Sequence, residues 1–124
     1  MSVVTLNILT FADYVLIPAT MDAFAVSNIK YVIEHIKVIE DFYDKAPQVL
    51  GIVPTMYDKR ISISSQALEA VKKLFGEKYP VFSPIGIDAT VKKAQTRRKF
   101  IYEFPNSRAA AQYKELTDVV LERI

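Results

Sequence analysis

The chain has 124 residues, 51% of them hydrophobic, with 16 basic and 14 acidic side chains and a net charge of +2. Such a length and balance suffice for one domain with a buried core, residues 1–124, and argue against disorder. The lack of cysteine excludes disulfides and thiolate chemistry, and a lone histidine, His35, excludes His-cluster metal sites and most catalytic triads. No apolar run approaches the roughly 20 residues of a membrane span, and the start lacks a basic region leading into an apolar one. A cytoplasmic location with no membrane partner is expected. The net charge hides an asymmetry: residues 1–56 carry −3 and residues 57–124 carry +5, which favours a polyanionic partner for the second half.

In chain order, residues 4–11 read as a short helix. "YVLIP" (14–18) is a continuous apolar run, the pattern of a strand covered on both faces, and the strand is set at 13–19 with a turn around Pro18 to Asp22. From 23 to 43, Val26, Ile29, Val32, Ile33, Ile36, Ile39 and Phe42/Tyr43 recur at helical spacing, with Lys30, Glu34, Lys37 and Asp41 between them. His35 on that helix reads as a structural histidine. "QVLGIVPTM" (48–56) is a second buried strand, with Pro54 near its end or at a bulge. Ser64 is the expected N-cap of a helix reaching Phe75, with Ile63 and Leu68 as a hydrophobic staple and Gly76 as its stop.

"PVFSPI" (80–85) is a third short strand, and Asp88 caps a helix to about Gln95. "KFIYEF" (99–104) reads as extended, and Asn106 or Ser107 caps a terminal helix whose buried stripe is Ala110, Tyr113, Leu116, Val120 and Leu121. Three strands alternating with helices make a partial doubly wound parallel α/β sheet. No glycine-rich phosphate cradle is present, because the only glycines are Gly51, Gly76 and Gly86. No nucleophile elbow or acidic metal cluster occurs either, so neither a catalytic residue nor a metal ligand is assigned.

Three segments carry a family resemblance. "TLNILTFADYVLIPATMDAFAVSNI" resembles the stretch after the Walker B aspartate of ParA-type partition ATPases, where "T-x-N-A-L-x-x-A-D" enters a "V-L-I-P" strand. "VLGIVPTMYDKR" (49–60) is similar to their "I-L-G-V-L-L-T-M-Y-D-x-R", and "IYEFPNSRAAAQYKEL" (101–116) to their "V-x-E-Y-D-P-x-S-R-x-A-x-x-Y-x-x-L". In that order they cover nearly the whole chain, as in the carboxy-terminal half of a ParA/MinD-superfamily P-loop NTPase fold. The resemblance implies that the P-loop, signature lysine and Walker B aspartate belong to the other half of that fold. ATP and Mg2+ are therefore implied for a full-length relative and no cofactor for this chain alone, which is not expected to hydrolyse ATP by itself. The sequence departs from the family where "IGID" (85–88) replaces "I-P-R", where "ATVKKAQT" replaces "S-V-R-L-A-E-A-P", and where "EFPNS" is one residue short.

Thr55, Met56 and Asp58 follow the carboxyl end of a central strand, where open α/β sheets bind ligands. By resemblance these residues, with Ile85, Gly86 and Ile87, lie near the adenine; the alternative for Asp58 is fixing the turn before Lys59 and Arg60. "KKAQTRRK" (92–99) has five bases in eight residues. The resemblance implies nonspecific DNA contact by Lys92, Lys93, Arg97, Arg98 and Lys99, extended by Lys59 and Arg60, against the alternative of a solvated helix end. Arg108 and Tyr113 read as structural. The function expected is DNA segregation of a plasmid or chromosome, by a dimeric, nucleoid-associated protein with a ParB-like partner. The alternative is an ATP-independent interaction module that binds DNA or modulates a full-length ParA. A MinD-like membrane role is disfavoured because "LTDVVLERI" at the end has two acids and one base. Self-association through an exposed sheet edge is also expected.

Overall fold

The computed structural model describes residues 3–124. The elements run α1 (Val3–Phe11), β1 (Tyr14–Thr20), α2 (Ala25–Tyr43), β2 (Gln48–Thr55), α3 (Ser62–Phe75), α4 (Ala89–Thr96), a 3-10 turn (Ile101–Glu103) and α5 (Arg108–Arg123). β1 and β2 pair in parallel, Tyr14 opposite Gln48 and Thr20 opposite Thr55, with a bulge between Val15 and Leu16 that leaves Leu50 as the extra residue. The α/β class and parallel pairing agree with the sequence reading. The sheet, however, has two strands and not three.

Proline explains the missing strand. Residues 80–87 lie along the free side of β2: Ile52 N donates to Pro80 O at 2.8 Å and Phe82 N to Ile52 O at 2.9 Å. The next rung of a parallel ladder would require N–H groups from residues 54 and 84, and both are proline. The ladder skips it. Ile85 N donates to Pro54 O at 2.8 Å instead, and Tyr57 N to Ile85 O at 3.1 Å. Two isolated bridges, Ile52 with Val81 and Tyr57 with Gly86, are what remain of the expected third strand.

Alternation along the strands sends side chains to two faces. On one, Ile17, Ala19 and Ile52 pack with Ala25, Ile29 and Ile33 of α2 and Ala67, Leu68 and Val71 of α3. Ile29, Ile52 and Val71 are fully buried, each contributing roughly 2 kcal/mol by removal from water. On the other face Val53, Phe82 and Ile85 meet Leu16, Leu116 and Val119, a smaller core under α5. α1 docks through Leu9 on Ile36 and Ile39 and leaves Val3, Val4, Ile8 and Phe11 exposed.

β1 is not covered on both faces as its sequence suggests. Ile17 and Ala19 are buried while Tyr14, Pro18 and Thr20 are exposed, and among the described residues β1 pairs with β2 alone. The strand also runs through Pro18, so the turn starts later than expected. At the end of α2, Phe42 and Tyr43 are exposed, beyond the reach of the sheet.

α3 starts before Ser64, because a turn closed by Ile61 N on Asp58 O (3.0 Å) leads directly into it. Ser64 is thereby released from capping and donates its buried hydroxyl to Met21 O at 3.2 Å. Residues 99–104 are not extended: Glu103 Oε2 accepts Phe100 N at 2.8 Å and closes a 3-10 turn. The packed face of α5 is also shifted, to buried Ala109 and half-buried Gln112, Leu116 and Val119, leaving Tyr113 and Leu121 exposed and Ala110 and Val120 half-buried. Its centre holds a glutamine because Gln112 Oε1 accepts Gly86 N at 2.9 Å. Asp88 and Ser107 cap α4 and α5 as expected, accepting from Thr90 N and Ala110 N.

Candidate nucleotide and nucleic-acid surfaces

At the carboxyl end of β2 the chain leaves the sheet through Met56, whose φ of 52° lies in the left-handed region that a side chain disfavours. Opposite it, residues 85–87 run along Tyr57. The space between forms a mostly apolar cleft of about 420 Å³. Thr55, Met56, Ile85, Gly86 and Ile87 all line it, so the structure brings five of the six base-proximal candidates together. Asp88, Lys92 and Gln95 beside and along α4 and Tyr113 of α5 are further wall residues. Periodicity placed Tyr113 in the packing stripe; only the shifted face of α5 delivers it to the cleft.

Asp58 lies elsewhere. It lines an adjoining cleft of about 470 Å³ with Tyr57, Lys59, Arg60, Arg108 and Gln112. Its Oδ1 accepts from Arg60 N and Nε, both at 3.0 Å, and its Oδ2 from Arg60 Nη2 at 3.0 Å. The hydrogen bond from the Arg60 side chain is the main reason its carboxyl lies below the ordinary range. In this structure Asp58 fixes the turn that presents Lys59 and Arg60. Gly86 borders both clefts.

Asp88 joins two helices. Its carboxylate accepts from Ala109 N at 3.0 Å, Thr90 N at 2.9 Å and Ser107 Oγ at 2.8 Å. These donors, Ala109 first, hold its carboxyl well below the usual carboxylate range. The anion thus sits at the amino ends of both α4 and α5, where helix dipoles favour it.

The basic run follows directly. Lys92, Lys93, Arg97, Arg98 and Lys99 are all exposed, and the only ion pair among the described residues is Arg60 with Asp58. The run wraps the helix end instead of forming one row: Lys92 borders the apolar cleft, while Lys93 and Arg97 border a hollow of about 290 Å³ with Asn106 and Ser107. Arg98, with φ 52°, turns the chain out of α4. Lys59 and Arg60 line the separate Asp58 cleft. Among the described residues no group of three metal-type side chains converges, and no helix is long and apolar enough to cross a membrane.

Layered α/β packing with a cleft at the carboxyl end of a parallel strand is the arrangement in which open α/β folds bind ligands. McdA from Cyanothece superposes with a TM-score of 0.77 at 18% identity, over 90% of this chain and 46% of that one. A McdA–ATP complex superposes with a TM-score of 0.75. The sporulation initiation inhibitor protein Soj of Bacillus subtilis is 26% identical over 121 residues, 97% of this chain and 47% of its own length. The chromosome partitioning protein ParA of Caulobacter vibrioides is also 26% identical over 97% of this chain, and 45% of its own length. No protein-family model matches the chain. In sequence and fold the chain is similar to these ParA-type proteins, and it spans about half the length of these curated relatives.

Proposed function

We propose that this chain serves DNA segregation of the ParA type, binding duplex DNA without sequence preference through Lys92, Lys93, Arg97, Arg98 and Lys99. The observation that carries this reading is the exposure of all five cations with no acidic partner among the described residues. Cations already neutralised by carboxylates release few counterions on meeting phosphate; these five are available to do so. Arg60, paired with Asp58, is a weaker contributor than Lys59. The protein acts in the cytoplasm on the nucleoid, as a dimer, with a ParB-like partner.

The apolar cleft formed by Thr55, Met56 and Ile85 to Ile87 suits a purine base, with aliphatic walls from Met56, Ile85 and Ile87. Bound ATP with Mg2+ would supply the phosphoryl-transfer chemistry of a full-length relative. This chain's own residues hold the base end alone and hydrolyse nothing, since its sequence carries no glycine-rich phosphate loop.

The test is a titration of the purified chain with random-sequence duplex at several salt concentrations. Expected is binding that falls with salt, with a log–log slope of about −4.5 for five phosphate contacts, and that is lost in Arg97→Ala/Arg98→Ala. Salt-independent binding, or none, would sink the reading.

A second reading, an interaction module that modulates a full-length ParA, is favoured by β1, which pairs on one side only among the described residues, and by the exposed Val3, Val4, Ile8 and Phe11 of α1. A strand edge next to apolar surface promotes association. Light scattering is expected to show mass rising with concentration, and a monomer throughout would exclude self-association.

A further inference from the structure

We propose that the turn leaving α4 grips bases as well as phosphates, so that its preferred ligand is single-stranded nucleic acid; this rests on the nucleic-acid reading above. Directly after Arg97, Arg98 and Lys99 come two aromatic side chains turned to solvent, Phe100 at 80% exposure and Tyr102 at 56%. Cations that follow a backbone, interleaved with aromatic faces, are the elements by which proteins hold unpaired strands: the charges meet phosphates and each ring stacks on a base.

The turn is held in shape before any ligand arrives. Arg97 N donates to Lys93 O at 3.0 Å, Arg98 N to Gln95 O at 3.2 Å and Lys99 N to Ala94 O at 2.9 Å, which ties the three cations to the end of α4. On the aromatic side, Phe100 N donates to Glu103 Oε2 at 2.8 Å and Glu103 N to Phe100 O at 3.0 Å. Glu103 is the one acid between residues 89 and 114. Its carboxylate accepts the Phe100 amide and so braces the ring-bearing turn. A preset turn loses little conformational entropy on binding. An isolated exposed aromatic needs no explanation; two in a braced four-residue turn, 100–103, abutting three cations without an ion-pair partner among the described residues form a stacking platform. Duplex DNA, whose bases are already stacked, uses the cations and leaves Phe100 idle.

The test compares three labelled ligands by fluorescence anisotropy with the whole chain: an oligothymidylate, an abasic oligonucleotide of equal charge, and a random-sequence duplex. Expected is tightest binding to the oligothymidylate. Phe100→Ala should weaken it about tenfold, the loss of one base stack, and leave the abasic and duplex ligands unchanged. Phe100→Leu, which keeps an apolar side chain without a π face, should behave like Phe100→Ala, and Phe100→Tyr like the wild type. Arg97→Ala/Arg98→Ala should weaken all three ligands. Equal affinity for oligothymidylate and abasic strand, unmoved by Phe100→Ala, would overturn the base grip and leave the phosphate reading standing. No binding of the wild type to any ligand would remove both. Thermal unfolding of each variant confirms that it is folded, as expected for so exposed a side chain.

Discussion

Asp88 and Ala109, twenty-one residues apart, are joined by a 3.0 Å hydrogen bond from the Ala109 amide to Asp88 Oδ2. The same carboxylate receives Thr90 N and Ser107 Oγ. One side chain therefore caps α4 and fastens the start of α5 to it. Asp88→Ala should destabilise the fold by about 2 kcal/mol, the loss of an N-cap together with hydrogen bonds to a charged group. Urea unfolding is the measurement: the midpoint should fall with the slope unchanged. An unaltered midpoint would show that water replaces this carboxylate without loss.

The acid limb of stability should belong in part to the same residue. Its folded carboxyl is held below the ordinary value, which is about 3.9 in an unfolded chain. A depressed folded value makes the contribution fully present above the unfolded value and progressively lost as pH falls below about 4. Asp88→Asn should accordingly be less stable than wild type at neutral pH and converge with it in strong acid. Parallel acid-unfolding curves, with a constant gap at every pH, would contradict this.

Gly51 should tolerate no side chain. A Cβ there would lie 2.7 Å from Phe82 Cε2 and 2.7 Å from Pro80 O. The ring can move; the carbonyl accepts Ile52 N at 2.8 Å and is fixed by that bond. Gly51→Ala is expected to destabilise by about 1–3 kcal/mol, the range for overpacking a filled core. Adding Phe82→Leu should fail to restore stability, because the clash with Pro80 O remains. Full rescue by that second change would place the strain in the ring alone.

The cleft beyond β2 should distinguish base from phosphate. Adenosine is expected to perturb the amide resonances of Ile85, Ile87 and Tyr113, and ATP to bind only a few-fold more tightly, since Lys92 is the one basic side chain in the lining and no glycine-rich backbone cradles phosphate there. Met56→Glu should abolish both effects by placing a charge on an apolar wall. A strong preference for ATP over adenosine would refute the division of labour proposed for this chain.

Much of this was legible in the residues. The core face of α2 follows from Ile29, Ile33, Ile36 and Ile39, and the caps from Asp88 and Ser107, because spacing and capping are local properties. Five of the six residues expected near a base line one cleft, and Asp58 does not, because its own neighbour Arg60 claims both carboxylate oxygens. What escaped was non-local. The third strand fails only when Pro54 and Pro84 fall on the same rung, and no reading of either segment alone reveals that coincidence. The face of α5 likewise turns on Gln112 reaching Gly86, twenty-six residues away.

The gap at Pro54 and Pro84 should divide the molecule by persistence as well as by shape. Above it lie β1, β2, α2 and α3 with the larger core; below it α4 and α5 hang on Val53, Phe82 and Ile85 and a few bridging bonds. Amides of the second group should exchange with solvent through a partial opening that leaves the first group closed. Every cation from Lys92 to Lys99 rides on the part expected to open first. A polyanion held there would engage the closed form alone, so its grip would fasten the looser layer onto the sheet.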